Sequence, residues 1–148
     1  SQSSLTRIAD LESLRTFAKD FAHSAPEKAI VLLHGPMGVG KTQFIKFLLE
    51  ELGSGETVSP SFSLHNTYST QAGDVDHLDL FRLETADDLE STGFWDLFEA
   101  AKGLVLIEWS ERLVDFGLMS ALPRTWKKIS VSFKFEENSQ ARIVTVES

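Results

Sequence analysis

One stretch of the chain combines residue types suited to holding a polyphosphate: Gly35-Pro36-Met37-Gly38-Val39-Gly40-Lys41-Thr42. It fills every fixed position of the pattern G-x-x-x-x-G-K-S/T, a phosphate-binding loop. Glycines at 35, 38 and 40 let backbone N–H groups turn toward a single anion. A helix starting behind the loop adds the positive end of its dipole. Lys41 offers a point charge to the β- and γ-phosphates, and the Thr42 hydroxyl is a ligand for Mg²⁺. Gln43 follows in the first turn of the helix, so the expected nucleotide contacts run from Gly35 to Gln43.

Phosphoryl chemistry on such a loop needs a carboxylate at the end of a buried strand, near the metal or the attacking water. Two candidates exist. Leu104-Val105-Leu106-Ile107-Glu108 is an apolar strand that delivers Glu108 to its C-terminal edge, where open α/β sheets bind ligands. Asp79 ends a more mixed segment and could enter the same crevice. Ser59-Pro60-Ser61-Phe62 follows the loop helix, where other phosphate-loop proteins carry a segment that senses the γ-phosphate. Trp109, beside Glu108, is either core filler or a cover over the site. The four histidines lack metal-ligand spacing, and His77 is read as a packed strand residue.

The elements that position these residues follow from patterning. Ala29 to His34 is a short apolar run of the kind buried in a parallel sheet. Phe44, Ile45, Phe47, Leu48, Leu49 and Leu52 form a helical face that Gly53 ends. Upstream, Leu5 to Ala9 reads as an edge strand. Asp10 reads as the N-cap of a helix whose apolar face is Leu11, Leu14, Phe17, Ala18, Phe21 and Ala22. Downstream, strands are expected over Phe62 to Tyr68 and Val75 to Phe81, with Val75, His77, Asp79 and Phe81 on one face. Thr85 starts a helix with a break at Gly93, Glu111 to Gly117 is a short helix or turn, and Lys128 to Phe135 with Arg142 to Glu147 makes a closing hairpin. The expected fold is α/β, a P-loop nucleotidase of three layers. Its central sheet is mixed and mainly parallel, with a C-terminal β-hairpin, in one domain over residues 1–148.

Composition narrows the partners. The 148 residues carry a net charge of -8, a poor balance for direct nucleic-acid binding, which needs clustered Lys and Arg. No apolar run approaches the ~20 residues needed to cross a bilayer, and Ser1 to Asp10 has no apolar signal core. Cysteine is absent, so disulfides and thiolate metal sites are excluded. A cytoplasmic location and no membrane partner are expected.

Four segments together carry a resemblance: Gly35 to Thr42, Ser59 to Leu64, His77-Leu78-Asp79-Leu80-Phe81-Arg82-Leu83 and Glu108-Trp109-Ser110-Glu111. In this order and spacing they resemble the TsaE (YjeE) family of bacterial ATPases, whose usual forms are close to G-D-x-G-A-G-K-T, S-P-T-F-x-L, H-x-D-L-Y-R-L and E-W-x-E. The resemblance implies a role in making threonylcarbamoyladenosine in tRNA, with ATP and Mg²⁺ as cofactors. It implies a TsaB–TsaD heterodimer as partner, and contact with tRNA only through that complex. Carried onto this chain, Lys41 holds phosphates, Thr42 and Glu108 hold Mg²⁺, and Asp79 lies by the metal or the attacking water. Ser59 to Ser63 is then the switch and Trp109 flanks the site. Phe81 stands in place of Tyr, Ser61 in place of Thr, and Leu14 where many members carry a Thr near the adenine.

The leading expectation is a Mg-dependent ATPase, weak alone, that supports turnover of a tRNA-modification complex. Alternatives are a nucleotide-gated assembly factor with little hydrolysis and a small-molecule P-loop kinase. A GTPase is disfavoured, because no N-K-x-D segment occurs and Asp79-Leu80-Phe81-Arg82 is not D-x-x-G.

Overall fold

The computed structural model describes residues 2–55, 65–100 and 102–148. Among them, seven strands form one sheet. They are β1 (Ser3–Ile8), β2 (Lys28–His34), β3 (His65–Thr70), β4 (Gly73–Asp79), β5 (Gly103–Glu108), β6 (Lys127–Phe135) and β7 (Arg142–Glu147). Their spatial order is β1-β7-β6-β2-β5-β4-β3. The four central strands β6, β2, β5 and β4 run parallel. β3 adds to one flank and β7 with β1 to the other, all antiparallel. The expected mixed sheet is present, and the closing hairpin is built into it rather than appended, since β6 also pairs with β2.

Alternation along the central strands feeds two cores. Ala29, Val31 and Leu33 of β2, with Leu104 and Leu106 of β5, face one side; Ile30, Leu32, Val105 and Ile107 face the other. The first side is covered by α1 (Leu11–Ser24) and α2 (Lys41–Glu51). Phe44 of α2 is fully buried there, with ring centroids 5.4 Å from Phe17, 5.5 Å from Phe21 and 5.8 Å from Phe133. The second side is covered by shorter pieces: α3 (Ala86–Glu90), a 3₁₀ segment Phe94–Glu99 and α4 (Glu111–Asp115). They insert Leu89, Phe94 and Leu113 beside Trp126.

Two boundaries differ from expectation. β4 ends at Asp79, not Phe81. The Asp79 carboxylate accepts the Phe81 amide at 3.0 Å, and the Leu83 amide donates to the Leu80 carbonyl at 3.1 Å. The chain therefore turns directly after Asp79, and Phe81 is exposed instead of sharing the strand face of Val75. β3 is described over His65–Thr70 and runs two residues past its expected end at Tyr68; its expected start, Phe62 to Leu64, lies outside the described residues. The helix capped by Thr85 lasts five residues, and the expected break at Gly93 is present, at a left-handed φ of +79° where the 3₁₀ segment starts.

Candidate functional site

The alternation that builds the cores also aims the acids. His77 and Asp79 share a face of β4 with Val75, and Glu108 shares a face of β5 with Leu104 and Leu106. Val75, Leu104 and Leu106 all belong to the core beneath α1 and α2. In register, Asp79 lies opposite Glu108, and Glu108 opposite Leu33 of β2. At the C-terminal edge of the parallel strands these side chains therefore emerge on the side where the glycine loop turns into α2.

The loop itself is held by backbone geometry. Gly35 has φ +142°, and a Cβ there would lie 2.7 Å from the Phe133 carbonyl oxygen. Gly40 occupies the N-cap of α2 with φ +119° and no side-chain cap, so the first-turn amides retain the orphan donors typical of a helix start. From β7, Arg142 Nε donates to the Val39 carbonyl at 3.1 Å, while its guanidinium lies 4.5 Å from the Phe135 ring centre. The C-terminal hairpin thus braces the loop from outside.

Lys41 is buried. Its Nζ donates to the Gly35 carbonyl at 2.5 Å and lies 4.6 Å from the Trp109 ring centre, a cation–π distance. Trp109 takes a left-handed φ of +58°, a conformation that costs energy for a bulky residue and clusters at functional sites. Its ring meets Phe81 at 4.8 Å, and Arg112 secures that turn by donating to the Phe81 carbonyl at 3.1 Å. Trp109 therefore lies against the lysine and also packs on the second core.

A cleft of about 410 Å³ gathers most of the expected residues: Met37, Gly38, Gly40, Lys41, Thr42, Gln43, Asp79, Glu108 and Trp109. Gly35 contributes through its carbonyl on Lys41. Val39 is buried and lines a neighbouring cavity of about 320 Å³ that also touches Leu14, Gly38, Gly40, Gln43 and Arg142. Pro36 is exposed on the loop. Ser59, Pro60, Ser61 and Phe62 lie outside the described residues.

Two histidines to which the sequence pattern assigns no role at the site also join this region. His77 Nε2 lies 2.7 Å from Glu108 Oε2, with both side chains largely buried. The available signal was its i, i+2 spacing to Asp79 on one strand. His34, at the end of β2, bonds Glu111 at 2.9 Å and the buried Ser110 hydroxyl at 3.2 Å. That ties the start of the glycine loop to the segment carrying Glu108 and Trp109.

Among the described residues, no three His, Cys, Asp or Glu side chains cluster as an all-protein metal site. The cleft instead offers a hydroxyl, Thr42, with the carboxylates of Glu108 and Asp79. That donor set suits Mg²⁺, which takes one or two carboxylates and completes its shell with water and substrate phosphates. Among the described residues no helix is long and apolar enough to cross a membrane.

The chain matches the family model described as threonylcarbamoyl adenosine biosynthesis protein TsaE over residues 8–144. A relative from Rickettsia bellii, a tRNA threonylcarbamoyladenosine biosynthesis protein TsaE, is 40% identical over 111 residues, 73% of this chain and 75% of its own. One of the same name from Nostoc sp. is 33% identical over 139 residues, 92% of this chain and 82% of its own. In fold, the chain is similar to the crystal structure of Bacillus subtilis YdiB, at a TM-score of 0.69 and 23% identity, covering 98% of this chain and 84% of that one.

Proposed function

The chain belongs to the TsaE family of tRNA threonylcarbamoyladenosine biosynthesis, and from that premise we propose that it is a Mg-dependent ATPase acting with a TsaB–TsaD heterodimer. The observation that carries the ATPase reading is the meeting of Lys41, Thr42, Asp79 and Glu108 in one cleft at the uncapped N-terminus of α2. First-turn amides and Lys41 hold the β- and γ-phosphates. Lys41 exchanges its bond to the Gly35 carbonyl for phosphate oxygens. The adjoining cavity, floored by Leu14 and bounded by Arg142, takes the nucleoside end, its apolar floor facing the base.

Thr42 and Glu108 would hold Mg²⁺, which when bound would neutralise the charge that develops on the transferred phosphoryl group. Asp79 lies beside Glu108 in register and orients the attacking water or the shell around the metal. Trp109 covers Lys41 and keeps bulk solvent from it. Arg112, engaged by the Phe81 carbonyl, is not available as an arginine finger in this arrangement. In this reading hydrolysis by the isolated chain is weak, and the partner completes the site or triggers closure. The net charge of -8 supports contact with tRNA through the partners rather than through this chain, and in this reading the work is cytoplasmic.

The test is ATP hydrolysis by the purified chain alone and with TsaB and TsaD added, using Lys41→Ala as control. The pair should stimulate hydrolysis at least tenfold, a barrier change of about 1.4 kcal/mol, and Lys41→Ala should abolish it. ATP binding without stimulated hydrolysis would replace this reading with a nucleotide-gated assembly factor.

A further inference from the structure

We propose that His77 is a positioning residue that fixes the Glu108 carboxylate for the metal, an inference that rests on the Mg-dependent reading above. His77 stands opposite Leu106, two residues before the Asp79–Glu108 pair and on the same face. From there its ring reaches diagonally across to Glu108, and Nε2 comes within 2.7 Å of Oε2. An ionised carboxylate only accepts hydrogen bonds, so Nε2 carries the proton and donates. The two side chains retain 12% and 9% of their exposure, so little water competes for the bond.

His77 does not line the cleft, whereas Glu108 does. Its effect must therefore pass through Glu108. A free glutamate at a strand end samples several rotamers. One held through Oε2 has its other oxygen left for a ligand in the cleft that Glu108 lines with Thr42 and Asp79. Groups that orient metal ligands in this way typically contribute about 10- to 100-fold in metal affinity or activity.

The test measures affinity for a fluorescent, non-hydrolysable ATP analogue in Mg²⁺ and in EDTA; the ratio of the two isolates the metal's contribution without turnover. In His77→Leu that ratio should fall by about tenfold, with affinity in EDTA unchanged. His77→Gln, whose amide nitrogen reaches the same place, should recover most of the ratio; His77→Asn, one bond shorter, should not. If His77→Leu fails to fold, the Gln and Asn pair decides the question. Added to Glu108→Gln, His77→Leu should cause no further loss.

An unchanged ratio in the Leu and Asn variants overturns the inference, as do equal losses in Gln and Asn or additive losses in the double variant. A wild-type chain that binds nucleotide equally in Mg²⁺ and EDTA overturns it too. A wild-type chain that binds no ATP analogue at all overturns instead the ATPase reading on which it rests.

Discussion

The two long helices begin in opposite ways. α1 carries its own anion: Asp10 accepts the Ser13 amide at 2.8 Å, and the Ser13 hydroxyl accepts the Asp10 amide at 3.1 Å. α2 begins at a left-handed glycine with no side-chain cap. Both helices pack on the same face of the sheet, Phe17 and Phe21 of one against Phe44 of the other. Both face the same physical demand, a first turn of amides without intrahelical acceptors. In α1 a neighbouring residue meets it. In α2 it is left open toward a cleft lined by Lys41, Thr42 and two carboxylates. α1 completes its own start with a side chain, and α2 leaves its start open, as the phosphate ligand proposed for it requires.

The contrast breaks most completely at Gly35. A methyl group there would lie 2.7 Å from the Phe133 carbonyl, at a φ of +142° that L residues avoid. Gly35→Ala should lose about 1–3 kcal/mol of stability from the backbone alone, with more from the contact on β6. It should also abolish nucleotide binding, because the loop can no longer present its amides. Urea unfolding and a nucleotide titration check both. Normal binding by a destabilised variant would show that the open start of α2 does not depend on the loop's path.

The contrast sharpens if the missing cap can be supplied. ATP with Mg²⁺ at 100 times its dissociation constant should stabilise the fold by about 2.7 kcal/mol. In a domain of this size that raises the melting temperature by roughly 5–11 °C. The gain should vanish in Lys41→Ala. Differential scanning calorimetry reads it directly, and hydrogen exchange should show the protection concentrated in the first turn of α2 rather than of α1.

Legibility in the sequence followed this division. The long elements were readable because period and caps repeat the same message: Asp10 before an apolar face for α1, and glycines before one for α2. The loop was readable because its chemistry needs glycine at fixed backbone positions, with Lys41 and Thr42 directly after. The second layer was less readable, since α3 and α4 have five residues each and a single turn shows no full period. Phe81 was misplaced because the strand was ended by a side chain, the Asp79 carboxylate on the Phe81 amide, which alternation does not register. His77 reads only as a packed strand residue for a related reason. Its meaning depends on which residue of β5 lies across from it, and strand register is a property of the assembled sheet.

The smallest effect tests whether the anion at the start of α1 acts as an anion. The Ser13 amide, then its hydroxyl, hold the Asp10 carboxyl below the usual carboxylate range. A depressed folded-state pKa means stabilisation that is complete above the unfolded value and is lost as pH falls through the folded one. Asp10→Ala should therefore lower the melting temperature modestly at neutral pH. The gap to wild type should persist somewhat below the ordinary carboxylate pKa and close at lower pH, once wild-type Asp10 is protonated. Asp10→Asn keeps an acceptor for the Ser13 amide without the charge, and should recover part of the loss with little pH dependence. Melting curves from pH 7 down into the acid range decide it. If the Asp10→Ala gap stayed constant with pH, the cap would act as a neutral acceptor only, and the likeness between Asp10 on α1 and a phosphate on α2 would reduce to hydrogen bonding without charge.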